Sequence, residues 1–276
     1  MRCAWNELIQ ILPQRLRNDV DRLGKETLQE LRLRVGQPPW MVTSEKVIRL
    51  PGNVTSEELA YVIHVASRYS PWSAATAAQG YITSTGGHRI GICGTAVVKS
   101  GAVTGIRDPV SLCIRVARDV ENIAGNAARI NGNILILGPP GSGKTTLLRD
   151  LIRKKAAVSG PVGVIDEREE LFPHTIPFSE QIDVLRGCRK VDGIPMVLRT
   201  MGPKIIAVDE ITDESDCKAL MEAAWCGVNV IATAHATDLN DLRGRPVYRP
   251  LIGCELFEHA VILARDKSYC TRRILL

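Results

Sequence analysis

Aromatic side chains are scarce in this 276-residue sequence, at 4% of the chain. So few flat rings leave little on which single-stranded bases could stack, so nucleic acid is not the favoured partner. The same scarcity implies an aliphatic core, as a parallel sheet buried between helices requires. The eight cysteines include no Cys-x-x-Cys pair, so neither a metal site nor a disulfide framework is expected. Several sit inside apolar runs and read as buried free thiols. No apolar run approaches the ~20 residues that span a bilayer. The opening Met1-Arg2-Cys3-Ala4-Trp5-Asn6 lacks the pattern of a signal peptide. A reducing cytosol is the expected compartment. The net charge of +5 is mild, and a solvated surface explains it as well as an anionic partner does.

What is present is sharper. Gly138-Pro139-Pro140-Gly141-Ser142-Gly143-Lys144-Thr145-Thr146 follows the apolar run Ile134-Leu135-Ile136-Leu137 and precedes Leu147-Leu148-Arg149-Asp150-Leu151-Ile152. Strand, glycine-rich loop and helix in that order, with Gly-x4-Gly-Lys-Thr spacing, make a P-loop. Glycines let the backbone close around phosphate oxygens without a side chain in the way. The N–H groups at the following helix N-terminus then form an anion cradle. Lys144 is placed to reach the β- and γ-phosphates, and the Thr145 hydroxyl to ligate magnesium. The expected cofactors are ATP and Mg2+.

The length suits one large or two modest domains. Leu8, Leu12, Leu16, Val20 and Leu23 recur at helical spacing, and Leu31-Arg32-Leu33-Arg34-Val35 alternates as a half-buried strand does. Met41-Val42 and Val47-Ile48-Arg49-Leu50 predict short strands. Thr55 with Glu58 three positions on predicts a capped helix running towards Ser70, and Ala74–Ala78 a second short one. Tyr81–Thr83 and His88–Gly94 predict strands around Gly86-Gly87. Ala96–Val98 and Ser111–Val116 extend the β pattern.

Beyond the P-loop helix, Gly163–Ile165 predicts a strand that ends in the acidic turn Asp166–Glu170. A polar stretch over 173–182, a helix over 196–201 and the strand Ile205–Val208 follow. Ala219–Trp225 reads as helix, Val228–His235 as strand, Val261–Ala264 as a last core strand and 272–276 as an edge. Strands alternating with helices imply a parallel sheet with ligands at its carboxyl ends. The expected fold is α/β: a RecA-like P-loop NTPase domain with a predominantly parallel sheet over 126–276, preceded by a smaller mixed α/β domain over 1–125.

Asp209, closing an apolar strand, fits the second acidic element of a P-loop enzyme and would hold magnesium beside Thr145. Glu210 is then placed to orient or deprotonate a water attacking the γ-phosphate. His235 reads either as a γ-phosphate sensor or as an imidazole satisfied by a carbonyl. The acidic turn reads either as solvated or as the source of a second carboxylate, with Glu167 its candidate. No Leu-Ser-Gly-Gly signature and no Asn-Lys-x-Asp occur, which disfavours a transporter ATPase of the ABC type and a GTPase.

Asp209-Glu210-Ile211-Thr212-Asp213 and Ala232-Thr233-Ala234-His235 resemble the Walker B and His boxes of type II and type IV secretion ATPases, and Val164–Glu170 resembles their Asp box. Those ATPases usually carry Gly-Glu where this chain has Asp209-Glu210, so Glu210 inherits the glutamate's role. More of the chain resembles the stage III sporulation protein AA family. The motifs are Leu31–Pro38, Gly80–Thr83, Gly87-His88-Arg89-Ile90-Gly91, Ile114–Arg118, Gly138–Asp150, Val164–Arg168, Asp183-Val184-Leu185, Arg199–Pro203 and Ile206–Ile211. The stretch His174–Gln181 departs from the pattern by lacking glycines.

The resemblance implies a cytoplasmic ATPase at the mother-cell face of the channel to the forespore, peripheral to the membrane. It implies a homo-oligomer in a hexamer-like ring, membrane proteins of the sporulation channel as partners, and arginines of the first domain, Arg89 or Arg115, near the nucleotide. Two alternatives remain at this stage: a nucleic-acid-stimulated RecA-like ATPase and a nucleotide-dependent scaffold without turnover.

Overall fold

The computed structural model describes residues 3–67, 80–84, 86–172, 176 and 178–274. The chain divides into two compact units. Unit 1 takes residues up to Asp119, and unit 2 takes Val120–Phe172 and Ile176–Leu276. The division falls ahead of the junction expected at 125/126. The physical reason is Asp150, a buried carboxylate that accepts the backbone N–H groups of Asn122, Ile123 and Ala124 and so secures them to unit 2.

Unit 1 begins with α1 (Trp5–Ile11) and α2 (Gln14–Gly24). Pro13, extended at φ −55° and ψ 142°, separates them, since proline fixes φ and cannot continue a helix hydrogen bond. Then come β1 (Leu28–Arg34), β2 (Trp40–Thr43), β3 (Val47–Arg49), α3 (Ser56–Ser67), β4 (Tyr81–Thr83), β5 (Arg89–Lys99) and β6 (Ala102–Arg115). The six strands form one sheet in the order β3-β2-β1-β6-β5-β4, antiparallel at every pairing. Leu31 and Leu33 face the core with Leu12, Leu16, Leu59 and Ile114, while Arg32 and Arg34 face out, as period-2 alternation requires.

The α3 start is a capping box. Thr55 Oγ1 accepts the Glu58 N–H at 3.3 Å, and Glu58 Oε2 accepts the Thr55 N–H at 3.1 Å. The helix expected over Ala74–Ala78 lies outside the described residues. Ala96–Val98 is not a separate strand but the far half of β5. It pairs with β6 through a two-residue turn whose Ser100 and Gly101 both have positive φ, 49° and 80°, the type I′ geometry that matches strand twist.

Unit 2 holds β7 (Ile134–Leu137), α4 (Lys144–Ser159), β8 (Val162–Asp166), β9 (Ile182–Arg186), α5 (Lys190–Met201), β10 (Ile205–Val208), α6 (Glu214–Trp225), β11 (Asn229–Ala234), α7 (Leu239–Gly244), β12 (His259–Leu263) and β13 (Tyr269–Arg273). Its seven strands run β13-β12-β7-β11-β10-β8-β9. All pairs are parallel except β12 with β13. Every residue of β7, β8 and β10 is buried, because helices cover both faces of a parallel sheet.

Three expectations change here. The polar stretch after the acidic turn leads into an edge strand, β9, and the helix expected over 196–201 begins at Lys190. The thiols are also less buried than their apolar surroundings suggested. Cys217 is buried, but Cys93, Cys226 and Cys270 are exposed, because they fall on an open sheet face, just past a helix end and on an edge strand. Burial pushes the Cys217 thiol up to about 12.

Candidate functional site

Four strand ends supply the polar residues, and those strands are neighbours in the order β7-β11-β10-β8. The loop Gly138–Gly143 leaves β7 and enters α4 at Lys144. Gly141 and Gly143 have φ of +75° and +99°, a region that L side chains avoid. A Cβ on Gly138 would stand 2.5 Å from Ser142 Oγ, so a side chain there would close the loop's interior. Ser142 Oγ is itself buried with no hydrogen-bond partner among the described residues. An orphaned hydroxyl inside a glycine cradle at a helix N-terminus suits a phosphate group.

Lys144 Nζ donates to the Gly138 and Pro139 carbonyls at 2.8 and 3.0 Å, and stands 3.1 Å from His235 Nδ1. Burial lowers the ammonium's pKa against the pull of Asp209 and Glu210. The Thr145 hydroxyl donates to Asp209 Oδ2 at 2.9 Å. Asp209 Oδ1 accepts the Thr233 hydroxyl at 2.9 Å and the Glu210 N–H at 3.0 Å. Thr145 and Asp209 thus present hard oxygens side by side, a donor set that fits magnesium.

Glu210 has φ +22°, a strained value for a residue with a side chain. Its N–H is held by Asp209 and by Thr233 Oγ1, and its carboxylate lies between two cationic or polar neighbours. Arg168 Nη1 donates to Oε2 at 2.9 Å, and His235 Nε2 stands 3.2 Å from Oε1. Burial first, then the Lys144 ammonium, lower the His235 pKa against Glu210 and Asp209. An ammonium has no lone pair, so Nδ1 accepts from Lys144 and the proton of the neutral ring sits on Nε2, facing Glu210. The His235 N–H is anchored on the Tyr248 hydroxyl at 3.0 Å.

The acidic turn divides its labour. Asp166 is no second carboxylate for water or metal, because its oxygens accept the N–H groups of Glu170, Leu171 and Phe172. Burial nevertheless raises its pKa. Arg149 of α4 donates to the Leu171 and Glu170 carbonyls, which ties this turn to the P-loop helix. Glu167 pairs with the Lys190 ammonium.

In unit 1, Arg89 and Arg115 stand directly opposite each other on β5 and β6. The Arg89 guanidinium lies 4.1 Å from the Tyr81 ring centre, and Arg115 is 3.6 Å from Glu30. Like charges across a strand pair cost stability, which Tyr81 and Glu30 offset.

The structure therefore brings Lys144, Thr145, Asp209, Glu210 and His235 into contact and sets Arg168 and Thr233 among them. Arg168 lay inside the motif already singled out, and only its charge beside Glu210 could have marked it. Tyr248 comes from a 3-10 turn, Pro246–Leu251, and has no sequence signal.

The family model described as "Sporulation stage III, protein AA" matches residues 4–274. The chain is 35% identical over 282 residues to "Stage III sporulation protein AA" of Bacillus subtilis (strain 168), covering 95% of this chain and 92% of that one. Among solved structures, the Legionella pneumophila ATPase DotB superposes with a TM-score of 0.61 at 18% identity over 95% of this chain and 80% of that one. The pilus retraction motor PilT, solved with bound ADP, gives 0.60 at 16% identity over 89% and 76%. The fold is thus α/β, with a RecA-like P-loop NTPase unit preceded by a smaller α/β unit. No helix among the described residues is long and apolar enough to cross a membrane.

Proposed function

The chain belongs to the stage III sporulation protein AA family, and from that premise we propose that it is a magnesium-dependent ATPase that hydrolyses ATP to ADP and phosphate. Its work would be to energise a membrane-associated secretion or channel assembly between mother cell and forespore, from the cytoplasmic face of the mother-cell membrane. The observation that carries this reading is the run of contacts from Lys144 through His235 to Glu210, beside the Thr145–Asp209 pair.

The loop amides, the Ser142 hydroxyl and Lys144 would hold the phosphates. Lys144 would exchange the Gly138 and Pro139 carbonyls for phosphate oxygens. Thr145 and Asp209 would hold magnesium, which neutralises charge on the phosphates when bound. Glu210 would accept a proton from the attacking water or orient it. His235 contacts both the phosphate-binding lysine and the water-activating carboxylate, so it is suited to report occupancy at one to the other. Glu167 would tune this region's charge.

Arg89 and Arg115 are candidates to complete the site of a neighbouring copy in a hexamer-like ring. The facing of two arginines on one strand pair supports that assembly. Membrane proteins of the channel are the proposed partners.

Phosphate release measured across protein concentrations, with magnesium, tests the reading. Turnover should rise more steeply than linearly and vanish with Lys144→Ala and Glu210→Gln. Unchanged turnover in Glu210→Gln would overturn it. Loss of sporulation function with Lys144→Ala alone would instead favour a nucleotide-dependent scaffold.

A further inference from the structure

Lys190 is the first residue of α5, and its side chain is 5% exposed. A cation there opposes the helix dipole, whose positive end is the N-terminus. Burial adds a desolvation cost. Helix preference and core packing both argue against a lysine at this position, so its partners must account for it.

The ammonium lies 2.5 Å from Glu167 Oε2 and 3.4 Å from Asp216 Oδ2. These carboxylates come from separate segments, Glu167 from the turn that leaves β8 and Asp216 from the first turn of α6. Each leads back to Glu210. Arg168, next to Glu167, donates to the Glu210 carboxylate. Asp216 Oδ2 accepts both the N–H and the hydroxyl of Thr212, each at 2.9 Å, and Thr212 is the second residue after Glu210. One buried cation therefore joins the turn whose Arg168 holds the Glu210 carboxylate to the segment, fastened at Thr212, that carries the Glu210 backbone.

We infer that Lys190 is a positioning residue for hydrolysis: by clamping Glu167 and Asp216 together it fixes Glu210 in the geometry that activates water. The inference rests on the ATPase reading given above. It assigns Lys190 no contact with nucleotide. The P-loop lies outside the clamp, so nucleotide affinity should not depend on it. A misplaced catalytic group loses rate far more than binding.

The experiment compares wild type, Lys190→Met, Lys190→Arg and the double variant Lys190→Met/Asp216→Asn. It reads turnover at saturating Mg-ATP, affinity for a fluorescent ATP analogue, and thermal unfolding. Lys190→Met should lower kcat roughly tenfold to a hundredfold, with analogue affinity within about twofold, and Lys190→Arg should recover most of the rate. The double variant removes the buried unpaired charge, so it should regain thermal stability while kcat stays low. If Lys190→Met does not fold, Lys190→Arg against the double variant decides the same question. Recovery of kcat together with stability in the double variant would overturn the inference, since Lys190 would then only neutralise Asp216. A rise in KM at unchanged kcat would overturn it too. Wild-type turnover with an equal rate in Lys190→Met sinks the inference alone, whereas absence of wild-type turnover sinks the ATPase reading with it.

Discussion

His88 in unit 1 and His235 in unit 2 are both held below the usual imidazole range, and burial is the first cause for each. Their partners differ in kind. His88 is fully buried and, among the described residues, hydrogen-bonds to backbone: Nε2 is 2.9 Å from the Ala4 carbonyl, and Nδ1 accepts the Ala117 N–H at 3.1 Å. The ring pins the chain ahead of α1 to the chain just past β6, with Gly86 packed so close that a Cβ would stand 2.6 Å from the imidazole. His235 keeps 30% of its side chain exposed and meets the side chains of Lys144 and Glu210. A depressed pKa therefore does not separate a working histidine from a structural one. What separates them is whether the partners are fixed backbone or charges that a ligand can rearrange.

The comparison breaks if chemistry and stability fail to separate between the two places. Glu210→Gln should show the largest effect, roughly a thousandfold loss of turnover with nucleotide still bound, read by phosphate release and by titration of a fluorescent ATP analogue. His235→Ala should cost about a hundredfold in turnover, with the unfolding midpoint nearly unmoved. His88→Ala should do the reverse. It empties a fully buried site and leaves the Ala117 N–H without its acceptor, although the Ala4 carbonyl keeps the Leu8 N–H. That should cost about 2–3 kcal/mol in denaturant unfolding, while any protein that remains folded binds nucleotide normally. A drop in nucleotide affinity larger than the drop in stability would merge the two classes.

Acid sharpens the same contrast. Burial lowers the His88 pKa, seconded by Arg118 and opposed by the Ala4 carbonyl and Glu7. The unfolded chain therefore binds a proton that the folded one refuses. Stability from this residue is fully present above the ordinary value of 6.5 and is lost as pH falls from there toward the folded value. The slope should reach at most about 1.4 kcal/mol per pH unit. His88→Gln, which keeps a donor and an acceptor without titrating, should flatten the profile in that window; an unchanged slope would assign it to other groups. The smallest expected effect is local: Thr55→Ala should cost about 1 kcal/mol through the lost α3 cap, visible in thermal unfolding and absent from turnover.

Local chemistry made the centre of the site legible in the sequence. The P-loop needs glycines where φ is positive and a lysine at the helix start, and those demands leave a readable spacing. The pair Asp209-Glu210 stood out because two carboxylates closed a run of four apolar residues that the core requires. The alternation Leu31–Val35 and the box at Thr55 and Glu58 were equally local. The missed features depend on distant partners. Lys190 is one positive charge among the 35 lysines and arginines until Glu167 and Asp216 surround it. Tyr248 reaches the His235 N–H from a turn with no periodicity. Among the described residues strand β9 pairs with β8 alone, at the sheet edge, and its half-buried residues give a weak alternation beside a polar stretch. The β5–β6 ribbon read as separate pieces because its far half covers no core, so nothing selects apolar residues on one face.

Asp150 has a mechanical meaning. It sits roughly two turns along the same helix whose first residue is Lys144, at about 1.5 Å of rise per residue. Its carboxylate holds the N–H groups of three consecutive residues at the entrance to unit 2. A helix of sixteen residues is packed along one face against the core as a single continuous element. The phosphate-facing tip and the incoming chain are therefore fastened to one and the same helix, six residues apart.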